Sequence, residues 1–315
     1  MLSTSLLRKL VPPLAFLIVM ALVSVPDLSA QDAEGTTDGE EVGDNGTNPA
    51  SMGFKWMSYS RSTELKNGVK DIDALALFFM VPLDFLTPFT ALVIEWPVLK
   101  YRDYSSILAE DQEGELIGQP PGFAGGFPPG IDTQRLGRGD LFGWGDVRFR
   151  FLQGITMVKS TVLMTGLDFM APWASDIGLS SGKYQLAPIF AHITNFDPTS
   201  FLAVLHFYFF DIADGSAKGS SEMGDIGFYM ARIFYQKAFP SSGYYLLPEV
   251  QVIYDFEVPD EESAFSLWFG PEVGKSFQAG GTGITTYIKP GFGINADVGE
   301  RKWSVEMGMR FIPLK

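Results

Sequence analysis

Apolar side chains recur at every second position after residue 30, in segments of 9 to 14 residues, and this alternation constrains the fold more than any other feature of the sequence. In the last segment Trp303, Val305 and Met307 alternate with Ser304 and Glu306. A period of two is typical of a β-strand that has one apolar and one polar face. No run after residue 30 approaches the ~18 consecutive apolar residues of a membrane-spanning helix. The sequence therefore predicts an all-β fold.

The composition indicates which kind of all-β fold this is. Hydrophobic residues make up 46% of the chain and aromatic residues 14%, which is rich for a soluble protein. The polar faces of the segments hold glycine and large aromatic residues beside the charged ones, and such side chains suit the filled interior of a narrow barrel. We therefore predict a transmembrane antiparallel up-and-down β-barrel whose apolar face meets lipid. The alternative is a soluble sandwich or barrel in which the apolar face forms the core.

About twelve segments carry the strand pattern, an even number, as a single-chain bacterial barrel requires. Short connectors alternate with long ones, which predicts short periplasmic turns, long external loops and both termini in the periplasm. The longest connector, 101–141, is then an external loop, either a cover over the pore or a disordered surface loop. Pro248, Pro271 and Pro290 lie inside predicted strands, so we expect bulges there. The predicted strands are 54–62, 73–82, 89–100, 142–152, 160–170, 184–194, 200–211, 224–237, 243–256, 263–276, 282–294 and 301–313.

The N-terminus has the features of a secretory signal peptide over residues 1–30. A basic pair precedes a short apolar stretch, and the small residues that end at Ala30 resemble a cleavage site. Residues 31–52 are acidic and poor in apolar side chains, so we expect a disordered leader, and residues 53–315 then form the barrel. These features predict export to the outer membrane of a Gram-negative bacterium. The expected partners are outer-membrane lipid, the barrel-assembly machinery and small-molecule solutes.

The charge and the residue counts exclude several kinds of site. The formal net charge is −14, which makes nucleic acid a poor partner because its phosphates are negative too. The chain has no cysteine, which excludes disulfides, thiol catalysis and cysteine-ligated metals. Its two histidines are too few for a convincing metal site. We therefore expect no cofactor and no metal.

If the apolar faces meet lipid, the opposite faces carry the residues that line the barrel interior, or lumen. Six acids stand against five bases in this set, so we expect ion pairs across a narrow lumen more than a strongly selective pore. These residues either fill the interior or guide a solute through it. The short connector at 295–300 sets Lys289 opposite Glu306 and Thr285 opposite Arg310. The predicted lumen-lining residues are Glu95, Asp146, Arg148, Arg150, Asp168, Arg232, Glu249, Gln251, Glu272, Lys289, Glu306 and Arg310.

Two stretches resemble a known family: VKDIDALALFFMVPLDFLTPFTALVIEWPVLKYRD at 69–103 and GDLFGWGDVRFRFL at 139–152. The shared pattern is a strand ending in Val-Pro-Leu at 81–83, a second ending in Trp-Pro at 96–97, and a Gly-x-Gly-Asp element at 143–146. With the later pieces LPEVQVIYDF, WFGPEVGKSF and YIKPGFGIN, they are similar to the outer-membrane β-barrel family of the MetA pathway of phenol degradation, often labelled a transporter. The resemblance implies a channel for the passive uptake of small hydrophobic or aromatic compounds.

Two other classes of function stay open. Some outer-membrane barrels are lipid-modifying hydrolases with a serine–histidine pair, and the sequence holds only His192 and His206. The turn at 195–199 sets His192 opposite about residue 202, so we expect the two histidines not to be neighbours. No serine stands at an obvious catalytic spacing, and we predict no catalytic residue. A structural or adhesive barrel is the other alternative.

Overall fold

The computed structural model describes residues 53–65, 68–83, 85–86, 89–103, 140–158, 160–215, 225–257, 264–279, 281–294 and 301–313. The predicted signal peptide, the predicted leader and most of the predicted external loop lie outside these residues. The described part of the chain contains no helix that is long and apolar enough to cross a membrane. Its strands are β1 Lys55–Leu65, β2 Lys70–Pro82, β3 Thr90–Asp103, β4 Asp140–Gly143, β5 Val147–Val158, β6 Thr161–Ala171, β7 Lys183–Asp197, β8 Ser200–Asp214, β9 Gly227–Phe239, β10 Tyr244–Asp255, β11 Phe265–Ala279, β12 Thr282–Gly293 and β13 Arg301–Pro313.

The strands form one closed antiparallel barrel. Neighbours along the chain pair with each other, and β1 closes the barrel by pairing with both β2 and β13. β4 and β5 both pair with β3, at 100–103 and at 90–95, so they share one strand position that is interrupted at 144–146. The thirteen strands therefore occupy twelve positions around the barrel. This confirms the predicted antiparallel up-and-down barrel of about twelve strands.

The register between β12 and β13 is the one expected from the sequence. Lys289 lies opposite Glu306, and Thr285 lies opposite Arg310. The pairing runs without a shift over its whole length. A slip of one residue would have moved every side chain of one strand to the other face. Lys289, Glu306 and Arg310 therefore share one face, opposite the apolar side chains of these strands.

Three prolines lie inside strands without shifting the register, so the bulges expected at these positions are wrong. Pro248 lies directly opposite Pro271 between β10 and β11. The pairing of β11 with β12 is interrupted over 270–272 and resumes in the same register, while Pro290 keeps its place opposite Val305. A proline has no N–H group to donate, so each one loses a ladder hydrogen bond with one neighbouring strand. The other neighbour still holds the register.

The outward face of the barrel is apolar. Nearly every strand contributes large apolar side chains that no other part of the described chain covers; Met307 is 55% exposed, for example, and Ile288 46%. A soluble monomer rarely exposes apolar patches beyond roughly 300–600 Å², whereas this band surrounds the molecule. The apolar faces therefore do not form the core, which contradicts the soluble alternative, and the outer surface is suited to lipid.

The two ends of the barrel differ in their connectors. Connectors of a few residues, such as 198–199 and 240–243, lie at one end, which we call the short-turn end. The longer connector 172–182 lies at the other end, where β3 also ends at Asp103 and β4 begins at Asp140, and we call this the long-connector end. Exposed aromatic residues occur at both ends, as in the interfacial girdles of membrane barrels. They include Phe239, Tyr244 and Phe277 at the short-turn end and Trp96, Trp173 and Trp303 at the long-connector end.

Candidate functional site

Ion pairs that reach past an intervening strand identify the face that lines the lumen. Lys289 of β12 bonds to Glu249 of β10 at 2.5 Å, past β11. Arg310 of β13 bonds to Glu272 of β11 at 2.7 Å, past β12. Side chains diverge on the convex outer surface of a barrel and converge inside it, so these four residues point into the lumen. Alternation along each strand then assigns the other inward positions.

Three of the predicted residues form one group on β5 and β6. Asp168 is buried and accepts hydrogen bonds from Nε and Nη2 of Arg150 at 2.9 and 2.7 Å. Its other carboxylate oxygen lies 3.3 Å from Nε of Arg148. The two guanidinium groups also lie over rings of β8, with Arg150 5.5 Å from the centroid of Phe207 and Arg148 5.8 Å from that of Phe209. Because β8 is three positions away from β5, the lumen is narrow at this level.

Four more of the predicted residues meet at Glu249. Arg232 donates from Nε to Oε1 of Glu249 at 2.7 Å, and Lys289 donates from Nζ to Oε2 at 2.5 Å. The amide of Gln251 donates to the same carboxylate at 2.7 Å. The amide oxygen of Gln251 in turn accepts a hydrogen bond from Nη2 of Arg301 at 2.5 Å. One buried carboxylate thus organises cations from three strands.

The last hairpin contributes a third group. Arg310 holds both carboxylate oxygens of Glu272, at 2.7 and 2.9 Å. The hydroxyl of Tyr245 donates to Glu272 at 2.6 Å and accepts from Arg310 at 2.8 Å. Glu306 accepts a hydrogen bond from the hydroxyl of Tyr287 at 2.8 Å. The bidentate geometry fixes the orientation of both partners.

Glu95 and Asp146 have different surroundings. Glu95 lies opposite Arg148 and accepts a hydrogen bond from the hydroxyl of Tyr59 inside the barrel. Asp146 lies in the interruption between β4 and β5, where its carboxylate accepts from the hydroxyl of Ser180 at 2.8 Å and from the backbone N–H of Ser181 at 2.6 Å. It therefore holds the 172–182 connector in place instead of lining the lumen.

Sequence reasoning missed several inward charges. Arg61 donates to Asp73 at 2.6 Å, and Lys100 donates to the same residue at 3.1 Å. A signal for Arg61 was present, because alternation from the outward Trp56 places it on the inward face. Asp73 is harder to assign, because the β2–β3 register shifts directly after it. Arg301 falls on the outward face by alternation from Trp303, and its inward position follows from the register shift between β1 and β13 at this level.

Inward glycines and aromatic residues fit together. The ring of Trp268 lies against the backbone of β11 and β12, where a Cβ on Gly270 or Gly291 would fall 1.8 or 2.1 Å from ring atoms. The ring of Tyr245 covers Gly274 in the same way, at 2.4 Å. Only glycine leaves room for these flat rings. The combination of glycine and aromatic residues on the polar faces is thus explained by packing inside the wall.

One side of the lumen is apolar. The inward residues of β7 from Ala187 to Ile193 are at most 2% exposed, and Phe207 of β8 is completely buried. They belong to one buried apolar cluster that also includes Met80, Val93, Leu152, Met164, Phe234 and Leu247. Side chains buried to this degree leave no water-filled space beside them. The lumen is therefore packed along this side and toward the short-turn end.

The two histidines lie close together on the outward face of β7 and β8. The ring centroids of His192 and His206 are 6.4 Å apart, so the expectation that they are not neighbours is wrong. The register sets His192 opposite Val204, two residues beyond the expected position. His206 Nδ1 lies 2.6 Å from the hydroxyl of Tyr229. Within the described residues, no serine hydroxyl or carboxylate bonds to either imidazole, as a hydrolase triad would need.

The expectation that no serine stands at an obvious catalytic spacing is wrong, because a Gly-x-Ser-x-Gly sequence occurs at 178–182, and this motif carries the nucleophile of many hydrolases. Its central Ser180 is buried and donates to Asp146 at 2.8 Å. The segment belongs to the connector between β6 and β7 and not to the strand-to-helix turn that the catalytic motif needs. Ser180 therefore stabilises the connector.

Comparison with known proteins agrees with this architecture. No protein-family model matches the chain, and a search of curated proteins finds no match. The COG4313 outer membrane channel from Pseudomonas putida F1 is similar with a TM-score of 0.51 at 13% identity, over 86% of this chain and 98% of that one. The NanC porin is similar with a TM-score of 0.50 at 8% identity, over 83% and 99%. At these identities the likeness is one of fold, and the chain has the fold of outer-membrane channels.

Proposed function

We propose that this protein is a bacterial outer-membrane channel through which small solutes pass passively. The observation that carries the proposal is the inverted polarity of the barrel. Its ion pairs lie inside and reach past intervening strands, while its exposed face is apolar. Only surroundings of lipid favour that arrangement, because in water the apolar face would turn inward.

The solutes are small and at least partly apolar. The arginine side chains of β5 reach the rings of β8, and the β7 side is lined by buried apolar residues. A large hydrophilic molecule would have to displace these side chains and would find few groups to replace its hydration. The two similar structures, an outer membrane channel and a porin, support passage of solutes in general. Hydrophobic or aromatic compounds, as the family resemblance implies, fit the apolar side.

The proposal includes a route to the membrane. An exported chain with a signal peptide over 1–30 would be inserted by the barrel-assembly machinery, with both termini in the periplasm and the 101–141 loop outside. The short-turn end would then face the periplasm. Cysteines placed singly at Ser242 and Ser181 test this orientation in whole cells, because only the second should react with an impermeant thiol reagent. Labelling of the first alone would reverse the topology.

Liposome swelling measures the proposed activity directly. The purified protein should admit small amphipathic solutes faster than sugars of the same mass, because the apolar side of the lumen interacts with the former only. Vesicles with heat-unfolded protein are the control. Equal rates with and without the folded barrel would overturn the proposal.

A structural barrel is the second candidate, and the packed apolar side of the lumen favours it. A structural barrel needs no path for solutes through its lumen. If this is its function, no solute should cause swelling, while the protein should still resist unfolding in detergent. The same vesicles therefore distinguish the two functions. Recovery of the protein from the soluble periplasm without detergent would contradict both.

A further inference from the structure

At the long-connector half of the lumen two cations bond to one carboxylate, and a third cation is linked to it through an amide. Arg232 and Lys289 bond to Glu249, whose Oε1 also accepts from Gln251, and Gln251 accepts from Arg301. We call these five residues the cationic cluster. Three positive groups and one negative group give it a formal charge of +2. They come from β9, β10, β12 and β13 and therefore lie on one side of the lumen.

Arg301 is the member that lacks a carboxylate. Among the described residues its polar contact is the amide oxygen of Gln251, and its guanidinium lies 4.8 Å from the ring centroid of Trp268. A guanidinium carries five N–H donors, so most of its donors stay available. Among the described residues, none of the Arg301 nitrogens is both buried and unpaired, so its unused donors are accessible. An ionisable group inside a membrane protein without a charged partner is a marker of a ligand or ion path.

The ring of Trp268 holds two cations of the cluster in position. One face of the Trp268 ring lies against the backbone at Gly270 and Gly291. Lys289 and Arg301 lie over the ring at 5.4 and 4.8 Å from its centroid, on the face that is left toward the lumen. Because the ring cannot move back into the wall, the two cations are fixed at the same level. A prearranged pair of cations loses little freedom when an anion binds.

The opposite wall has another character. β13 and β7 are six positions apart in the barrel and therefore face each other. The inward residues of β7 from Ala187 to Ile193 are apolar and buried, whereas Lys183 and Gln185, nearer the long-connector end, are buried and polar. Arg150 lies on that side over Phe207, but it shares Asp168 with Arg148, and Arg148 lies opposite Glu95, so two carboxylates balance the two arginines. A solute at this level would meet unbalanced positive charge on one side and apolar surface on the other.

We infer that the cationic cluster binds the carboxylate of small organic acids with an apolar body, and that such acids are the preferred solutes of the channel. The inference rests on the proposed channel function for its transport part. The planar guanidinium of Arg301 matches a carboxylate in bidentate geometry, and Lys289 adds a second charge. The apolar body would lie toward β7. Inorganic phosphate shares the charge but not the apolar body, so it should bind less tightly.

Binding can be measured without transport. The full mature protein in detergent is heated with benzoate, benzyl alcohol or inorganic phosphate at constant ionic strength, and the temperature of half-unfolding is read from the change in gel mobility. Benzoate should raise this temperature, and the neutral alcohol should not. In Arg301→Gln the apparent affinity for benzoate should fall about tenfold or more, since a bidentate charged contact is lost.

Two further variants keep the test decisive. Arg150→Gln removes the same charge from the lumen but leaves Asp168 paired with Arg148, so it should bind benzoate like the wild type. Arg301→Lys keeps the charge but loses the planar guanidinium, so this variant should fold normally and bind benzoate more weakly than the wild type. Equal benzoate affinity in Arg301→Gln and the wild type would overturn the inference. So would stabilisation by phosphate as strong as that by benzoate.

Planar-bilayer recordings complete the test and separate it from the proposed function. In a potassium chloride gradient the wild type should prefer chloride, benzoate should reduce the current, and Arg301→Gln should lose both effects. Benzoate binding without any conductance would contradict the proposed channel function and support the proposed binding site. A conductance that benzoate does not change would support the channel function and contradict the proposed binding site.

Discussion

Replacing Glu272 by glutamine tests whether the lumen is packed or filled with water. The variant keeps the shape of the side chain but removes the charge that holds Arg310, whose nitrogens lie 2.7 and 2.9 Å from the carboxylate. The two side chains are only 12% and 4% exposed. Removing one partner of a buried pair costs about 3–5 kcal/mol, whereas an exposed pair contributes about 0–1 kcal/mol. Glutamine still offers one oxygen to Arg310, so we expect about 3 kcal/mol, or roughly a hundredfold in the folding equilibrium.

Urea unfolding in lipid vesicles, followed by tryptophan fluorescence, measures this loss. The triple variant Glu272→Leu, Arg310→Met and Tyr245→Phe leaves neither an unpaired charge nor an unpaired hydroxyl. It should recover most of the stability, because apolar replacements of a buried pair are often neutral. Lys302→Gln is the matched control, since Lys302 is 54% exposed in its pair with Glu64 and should contribute about 1 kcal/mol or less. A loss below about 1 kcal/mol for Glu272→Gln would show that water screens the pair and would refute the packed lumen.

Three further predictions concern other parts of the molecule. Gly274→Val should lower the urea midpoint, because even its Cβ would lie 2.4 Å from a tyrosine ring; an unchanged midpoint would mean that the ring moves freely. Replacing both His192 and His206 by glutamine should leave solute flux in liposomes unchanged, because the two rings lie outside the lumen; loss of a lipid-hydrolysing activity in this variant would instead support an enzyme. Deleting 108–136 should raise liposome permeability while the barrel still resists detergent, if this loop covers the pore, and unchanged swelling would exclude that role.

The C-terminal strands could be predicted from the sequence because each of their faces has a distinct character. Val305 and Met307 alternate with charged or small residues, and the register of the hairpin followed from its short connector. The two faces of β7 and of β8 do not differ in this way. Ile189 points inward and Phe190 outward, so hydrophobicity is equal on both faces. Which face lines the lumen is decided there by closure of the barrel and not by local pattern, and the apolar side of the lumen could not be predicted.

Side-chain partners were less predictable than register. Lys289 lies opposite Glu306, as expected, yet its ammonium group bonds to Glu249 on a strand two positions away. Glu306 bonds to Tyr287 instead. Register fixes the height of each side chain, but in a narrow lumen long side chains reach past the adjacent strand to the strongest partner. A charge exchange between positions 289 and 306 would therefore not restore the native pair, because Glu249 would face a new carboxylate.

The net charge of −14 describes the chain and not the surface that a solute meets inside the barrel. Residues 31–52 alone contain six carboxylates and no basic residue. Within the lumen, in contrast, Asp168 lies between two arginines, and Glu249 between an arginine and a lysine. Each carboxylate that serves two cations leaves one positive charge in place, and desolvation strengthens the field of that charge. The proposed anion preference thus follows from how the inward carboxylates are shared, and the net charge of the whole chain does not argue against it.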